Sequence, residues 1–243
     1  MGQVKLIVSN WKMNLNLLNS TNLIEDLLRI SHSDSFKHII CPQFILIPLV
    51  SNLLKDSKIN LGAQDCWYEK TGAFTGDTGI ELLKEYDCRY IILGHSERRN
   101  HHKEKNELIK KKVDLVISEG LKPIICIGET IKERKKNNYL EVLENQLKLC
   151  IPNEYNEVIV AYEPVWSIGT GLIPSNKEII EIHDFTEKFL KKHKMIKKLY
   201  FLYGGSVNSD NFGEIMNNTN VNGALIGGAS LKTTEMKKIL TFC

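Results

Sequence analysis

The tightest constraint on this chain is a repeating form: a short apolar run, a polar turn, then an amphipathic segment, eight times within 243 residues. The apolar runs are Lys5–Ser9, His38–Cys41, Ile59–Ala63, Tyr90–Leu93, Pro123–Ile127, Val158–Tyr162, Leu199–Tyr203 and Ala224–Ile226. They are short, apolar and bounded by turn residues, so they read as buried strands. Helical patterns fill the gaps at Ser20–Ser31, Leu46–Lys55, Gly79–Glu85, Glu104–Glu119, Thr130–Cys150, Asn176–His193, Ser209–Met216 and Thr233–Leu240, with Ser20, Thr130 and Ser175 as N-caps. Eight strands, each followed by a helix, predict an α/β fold, an eight-fold (β/α)8 barrel. A doubly wound open sheet is the rival. It needs only five or six strands and favours a G-x-G-x-x-G turn after the first, where this chain has Asn10-Trp11-Lys12-Met13-Asn14. No linker, low-complexity tract or charge block divides the chain, so residues 1–243 are expected to form a single domain.

The formal net charge of +3 is too slight to argue for nucleic acid or a membrane surface. The Lys-rich stretches Lys103–Lys112 and Lys132–Lys136 alternate with Glu and aliphatics and read as solvated helix faces. The cysteines (Cys41, Cys66, Cys88, Cys126, Cys150 and Cys243) form no Cys-x-x-Cys pair, which fits free thiols in a reducing, cytoplasmic compartment and gives no metal-site spacing. No signal peptide or lipidation box is visible. The most apolar segment, Ile39–Val50, carries Pro42, Gln43 and Pro48, so no span of a bilayer is expected.

In a barrel of this kind the active site lies where strands end and loops begin. Those ends hold Asn10 and Lys12, Gln64, His95 with Ser96 and Glu97, Cys126 with Glu129, Glu163, Ser206, and Gly227-Gly228. Glu163 sits at a strand end stopped by Pro164, followed by an apolar anchor and Gly169-Thr170-Gly171. That is a plausible general base under a lid that closes over an anion; the alternative is a polar strand end and an ordinary glycine loop. The turns at Gly169–Gly171, Gly204-Gly205-Ser206 and Gly227-Gly228 offer backbone amides to a phosphate, two of them after the last two strands. Taken singly, His95 reads as a satisfied structural histidine, Lys12 as a solvated lysine, Glu129 as a helix-start carboxylate and Cys126 as a small core residue. The aromatic-bearing loop Gln64–Thr78, with Trp67, Tyr68 and Phe74, suggests either a partner surface or a loop folded on its own rings.

Taken together, several segments run through the chain in order: Asn10–Asn14, Gly62-Ala63-Gln64, Gly72–Gly76, Gly94-His95-Ser96-Glu97-Arg98-Arg99, Cys126-Ile127-Gly128-Glu129, Ala161–Gly171, Tyr203–Val207 and Gly227–Leu231. In these the chain resembles the triosephosphate isomerase family. The resemblance implies a TIM barrel and the glycolytic and gluconeogenic interconversion of dihydroxyacetone phosphate and D-glyceraldehyde 3-phosphate, without metal or cofactor. The roles that come with the family are Glu163 as base and neutral His95 as electrophile, the helix start at Ser96–Arg99 disfavouring the imidazolium. Lys12 would supply fixed positive charge to the developing enediolate and the phosphate, and Asn10 would help orient both. Amides of Gly169, Ser206, Gly227 and Gly228 would bind the phosphate, while Ser96, Glu97, Arg98, Cys126 and Tyr203 would support these groups from behind. The family also implies a homodimer in which the Gln64–Thr78 loop enters the neighbouring subunit and brings Thr75 near its site.

The chain departs from the family's usual residues at Ser9, Asp65, Lys103 and Asn222, where glycine, asparagine, glycine and aspartate are common. It departs more sharply at the end of the lid, Leu172-Ile173-Pro174. In the family, the tyrosine matching Tyr203 bonds a backbone N–H at the position of Pro174 when the lid shuts. Proline has none, so the closed lid is expected to lack that latch.

Overall fold

The computed structural model describes residues 4–31, 33, 35–168 and 172–242. Eight strands, all parallel, close into a barrel: β1 Lys5–Asn10, β2 Phe36–Cys41, β3 Asn60–Ala63, β4 Cys88–Leu93, β5 Lys122–Ile127, β6 Glu154–Tyr162, β7 Met195–Tyr203 and β8 Gly223–Ile226. Every strand read from the sequence is present. The closing seam pairs Leu6 with Gly223. A Cβ on Gly223, whose φ is +143°, would lie 1.9 Å from the Leu6 carbonyl oxygen, so only glycine lets β8 come close enough to shut the barrel.

Period-two alternation sorts the strand side chains into two layers. Leu6, Val8, Ile39, Cys41, Tyr90, Ile92, Ile124, Cys126, Ile159, Ala161, Tyr200, Leu202 and Leu225 point inward and fill the barrel. Their neighbours, such as Ile7, Ile40, Ile91, Ile125 and Val160, point outward against the helices. Continuing the inward register past the last strand residues brings Asn10, Glu163 and Gly227 to the carboxyl mouth. The alternation that builds the core therefore also aims the polar groups.

Helix boundaries differ from the sequence reading in three places. The first helix is Leu17–Leu28, capped by Asn16, whose side chain accepts the Asn19 N–H; Ser20 is buried inside it and donates to the Asn16 carbonyl. The segment 130–150 is two helices, Ile131–Lys135 and Tyr139–Cys150, because Asn137 takes φ +57° and breaks the run. A short helix, Ser96–His101, follows β4. Thr130 and Ser175 do form capping boxes, with Glu133 and Glu178.

The solvated-face reading of Lys103–Lys112 fails at its last residue. On the helix Asn106–Ser118, Lys112 shares the buried stripe with Ile109, Val113 and Val116. It is wholly buried and donates to both Asp65 oxygens, at 2.9 and 2.8 Å, and to Glu104 at 2.7 Å. Arg98 completes the cluster, 2.8 Å from each of the two carboxylates. Asp65 thus replaces a common asparagine where the buried Lys112 meets the half-buried Arg98. Two other departures also find local causes: the Ser9 hydroxyl lies 2.8 Å from His38 Nε2, and the Asn222 side chain accepts the Phe201 N–H. Lys103, where the family commonly has glycine, has φ +58°.

Candidate active site

A cavity of about 400 Å³ opens at the carboxyl mouth and gathers Asn10, Lys12, His95, Glu163, Ser206, Gly227 and Gly228. These residues come from the ends of β1, β4, β6, β7 and β8, brought to one place by barrel closure. Gly169, expected to contribute an amide, lies outside the described residues, as do Thr170 and Gly171.

Lys12 has φ +52°, a conformation that costs free energy in a non-glycine residue and is held by its surroundings. Its N–H donates to Asn10 Oδ1 at 3.0 Å, and the Gln64 amide donates to its carbonyl at 2.8 Å and to that of Cys41 at 3.0 Å. Its ammonium reaches Glu97 at 2.7 Å. A Cβ on Gly227 would approach the Lys12 stem at 3.2 Å, so the glycine leaves the lysine its path along the cavity wall.

His95 caps the helix Ser96–His101, and its Nδ1 accepts the Glu97 N–H at 3.2 Å. A neutral imidazole there carries its proton on Nε2, which lies 2.8 Å from Glu163 Oε1. The second Glu163 oxygen accepts the Ser96 N–H at 2.9 Å. Burial disfavours charge on His95, but the carboxylates of Glu163 and Glu97 outweigh it and raise the imidazole's pKa. Cys126 lies in the barrel interior behind Glu163, and burial pushes its thiol well up, which makes it a packing group. Glu163 itself is buried, and a Cβ on Gly204 would stand 2.9 Å from its Cγ. The carboxylate has room to turn only because that position is glycine.

Two supports were not read from the sequence. Arg99 donates to the carbonyls of Gly94 and Cys126, at 2.7 and 3.1 Å, and so ties the turn that carries His95 to β5. Glu129 is fully buried instead of standing free at a helix start. It accepts Tyr162 Oη–H at 3.1 Å and Trp166 Nε1–H at 2.9 Å, which fixes the first stem of the lid to β6, and burial raises its pKa. Its place in the Cys126–Glu129 segment was visible; its burial was not, because that depends on where Trp166 lands. At the other end of the lid Pro174 is buried, and Tyr203 Oη lies 3.3 Å from Ser167 Oγ.

A carboxylate facing an imidazole N–H, an ammonium on the adjoining wall and backbone turns across the cavity are the groups that enzymatic proton exchange on a small anion calls for. Comparison with known proteins is specific about which. The model of the family described as triosephosphate isomerase matches residues 5–243. The triosephosphate isomerase of Aquifex aeolicus is 39% identical over 97% of this chain and 98% of its own length. Those of Lawsonia intracellularis and of the Wolbachia of Brugia malayi are 41% and 42% identical, each over 97% of this chain and 96% of their own. The chain belongs to the triosephosphate isomerase family.

Proposed function

We propose that Glu163 and His95 perform this family's reaction in the cavity at the barrel mouth, with Lys12, Asn10 and the turns at Ser206 and Gly227-Gly228 binding the substrate. The reaction is the isomerisation of dihydroxyacetone phosphate and D-glyceraldehyde 3-phosphate, and the chain is an isomerase. Glu163 takes the proton from the carbon beside the carbonyl, and His95 Nε2–H hydrogen-bonds the carbonyl oxygen as negative charge develops there. Lys12 stabilises the enediolate, the hydroxyl proton passes from one of its oxygens to the other by way of the His95 imidazole, and the protonated Glu163 returns its proton to the neighbouring carbon. With the carboxylate turned from His95 to the substrate, the main influence favouring the imidazolium is gone. Nδ1 would also have to give up the Glu97 N–H to take a proton, so the working imidazole is neutral. Ser96, Glu97, Cys126 and Tyr203 position these groups without touching substrate.

What carries the reading is that one cavity joins the Glu163–His95 pair to Lys12 and to two glycine-bearing turns after β7 and β8. A coupled assay of purified protein with triose phosphates, against pentose phosphates and with Glu163→Gln as control, tests it. Turnover of pentose phosphates alone would overturn it.

The family's homodimer is part of the same proposal. A second cavity, of about 360 Å³, borders the first through Asn10, Lys12 and His95 and is rimmed by Met13, Phe44, His101 and His102. Met13 is 88% exposed, and Ile45, which follows Phe44 in the chain, 82%, a large apolar presentation. The loop that would fill such a cavity is 64–78, where Trp67, Tyr68 and Phe74 pack on one another at 4.6 to 6.1 Å and stiffen it, while Thr75 stays exposed at its tip. Sedimentation at micromolar concentration should give a dimer; a fully active monomer would contradict the proposal. The buried free thiols at Cys41, Cys66, Cys88, Cys126 and Cys150 support a reducing, cytoplasmic setting. No helix among the described residues is long and apolar enough to cross a membrane.

A further inference from the structure

Ser167 stands in the first stem of the lid, fully buried, and its single hydroxyl meets the second stem, Tyr203 and the turn after β7. It donates to the Leu172 carbonyl at 2.5 Å, on the second stem. That uses its one proton, so in the 3.3 Å contact with Tyr203 the phenol is the donor. Its remaining acceptor site takes the Ser206 N–H at 3.4 Å. The Ser206 hydroxyl in turn donates to the Ser167 carbonyl at 2.6 Å. A Cβ on Gly205 would lie 2.2 Å from Tyr203 Oη and 2.8 Å from Ser167 Oγ, so the glycine is what lets the three hydroxyl-bearing residues meet.

The Ser206 N–H is also one of the amides assigned above to the substrate phosphate. An N–H cannot serve a serine hydroxyl and a phosphate oxygen at full strength together. At 3.4 Å its bond to Ser167 is long and weak, while a bond to a phosphate dianion is charge-assisted and short. We propose that Ser167 is a positioning residue: its hydroxyl ties the two lid stems to the β7 turn, and it competes with phosphate for the Ser206 amide. The inference rests on the reading of Ser206 as a phosphate ligand. It adds that phosphate must displace the Ser167 hydroxyl from the Ser206 amide, a contact that Ser167→Ala removes.

The test is inhibition of the isomerase by inorganic phosphate in wild type, Ser167→Ala, Tyr203→Phe and the double variant. Losing that contact favours phosphate, so the inhibition constant should fall about two- to threefold in Ser167→Ala, the size expected for one weak net hydrogen bond. KM for triose phosphate should fall with it while kcat does not rise. Tyr203→Phe should shift the same way by less, and the double variant should match Ser167→Ala, since both remove one shared device. Trp166 fluorescence, next to Ser167, should saturate at correspondingly lower phosphate. Equal or weaker inhibition of Ser167→Ala would overturn the inference, and Tyr203→Phe decides it if that variant does not fold. Wild type that isomerises triose phosphate but ignores inorganic phosphate would instead remove the Ser206 reading beneath it.

Discussion

Glu163→Gln should lower kcat on triose phosphates by about 10³-fold, within the range removal of a general base usually gives. The change is nearly isosteric, yet the geometry makes it more than the loss of a base. Both carboxylate oxygens face donors, the His95 Nε2–H at 2.8 Å and the Ser96 N–H at 2.9 Å. Neither donor can reverse. The Ser96 group is backbone, and the His95 proton is held on Nε2 because Nδ1 accepts the Glu97 N–H. A carboxamide offers one acceptor and one donor, so one of the two contacts becomes donor against donor. Glu163→Asp separates the two effects. It keeps both acceptors and the base, but shortens the arm by one methylene, and a misplacement of about 1 Å costs about 10²-fold. The expected order is therefore wild type, Asp, then Gln, with inorganic phosphate still inhibiting both variants. Retention of more than about a tenth of wild-type kcat by Glu163→Gln would remove Glu163 from the role of base.

The barrel was legible because its signal is redundant. Each strand is weakly marked, but eight apolar runs at regular spacing leave few topologies that can bury them all. Strand ends were legible for the same reason: in a closed barrel they converge, so Asn10, His95, Glu163 and Gly227 could be set together without knowing a single distance. What the sequence concealed is whatever depends on a partner distant along the chain. Glu129 looked like a free helix-start carboxylate because Trp166 and Tyr162, which bury it, are more than thirty residues away. Ser167 lay within a segment already singled out, but a hydroxyl in a loop says nothing until Leu172, Tyr203 and Ser206 are seen around it. The helix 130–150 ran on in the sequence because Lys, Asn and Glu continue a polar face; only the left-handed backbone at Asn137 divides it. Lys112 was different. Its position among Ile109, Val113 and Val116 was an available helical-period signal, outweighed by the Lys-rich composition around it.

That lysine carries the largest expected effect on stability. Lys112→Met keeps roughly the volume and removes the cation, leaving Asp65 and Glu104 buried with Arg98 alone. Breaking a buried charge network by deleting one partner costs about 3–5 kcal/mol, because the groups left behind have already lost their water. The deficit should depend on pH with a defined sign. With Lys112 present, burial still pushes the Asp65 carboxyl up to about 6, while the Lys112 and Arg98 contacts hold Glu104 below its ordinary range against burial. Without Lys112 both carboxyls rise, Asp65 further above its unfolded value and Glu104 out of its depressed range. A folded-state pKa above the unfolded one gives stability that is intact at low pH and lost as pH climbs through the folded value. The deficit of Lys112→Met should therefore be small near pH 4 and grow towards pH 8. Asp65→Asn combined with Lys112→Met removes one stranded carboxylate and should cost less than the sum of the single changes. Chemical denaturation of the three variants at matched protein concentration measures all of this. A Lys112→Met protein within about 0.5 kcal/mol of wild type at pH 8 would mean that the network contributes no more than an ordinary surface site. Because Asp65 lies at the start of the 64–78 loop, a loosened cluster should also weaken association of the proposed dimer, read by sedimentation, before it unfolds the barrel.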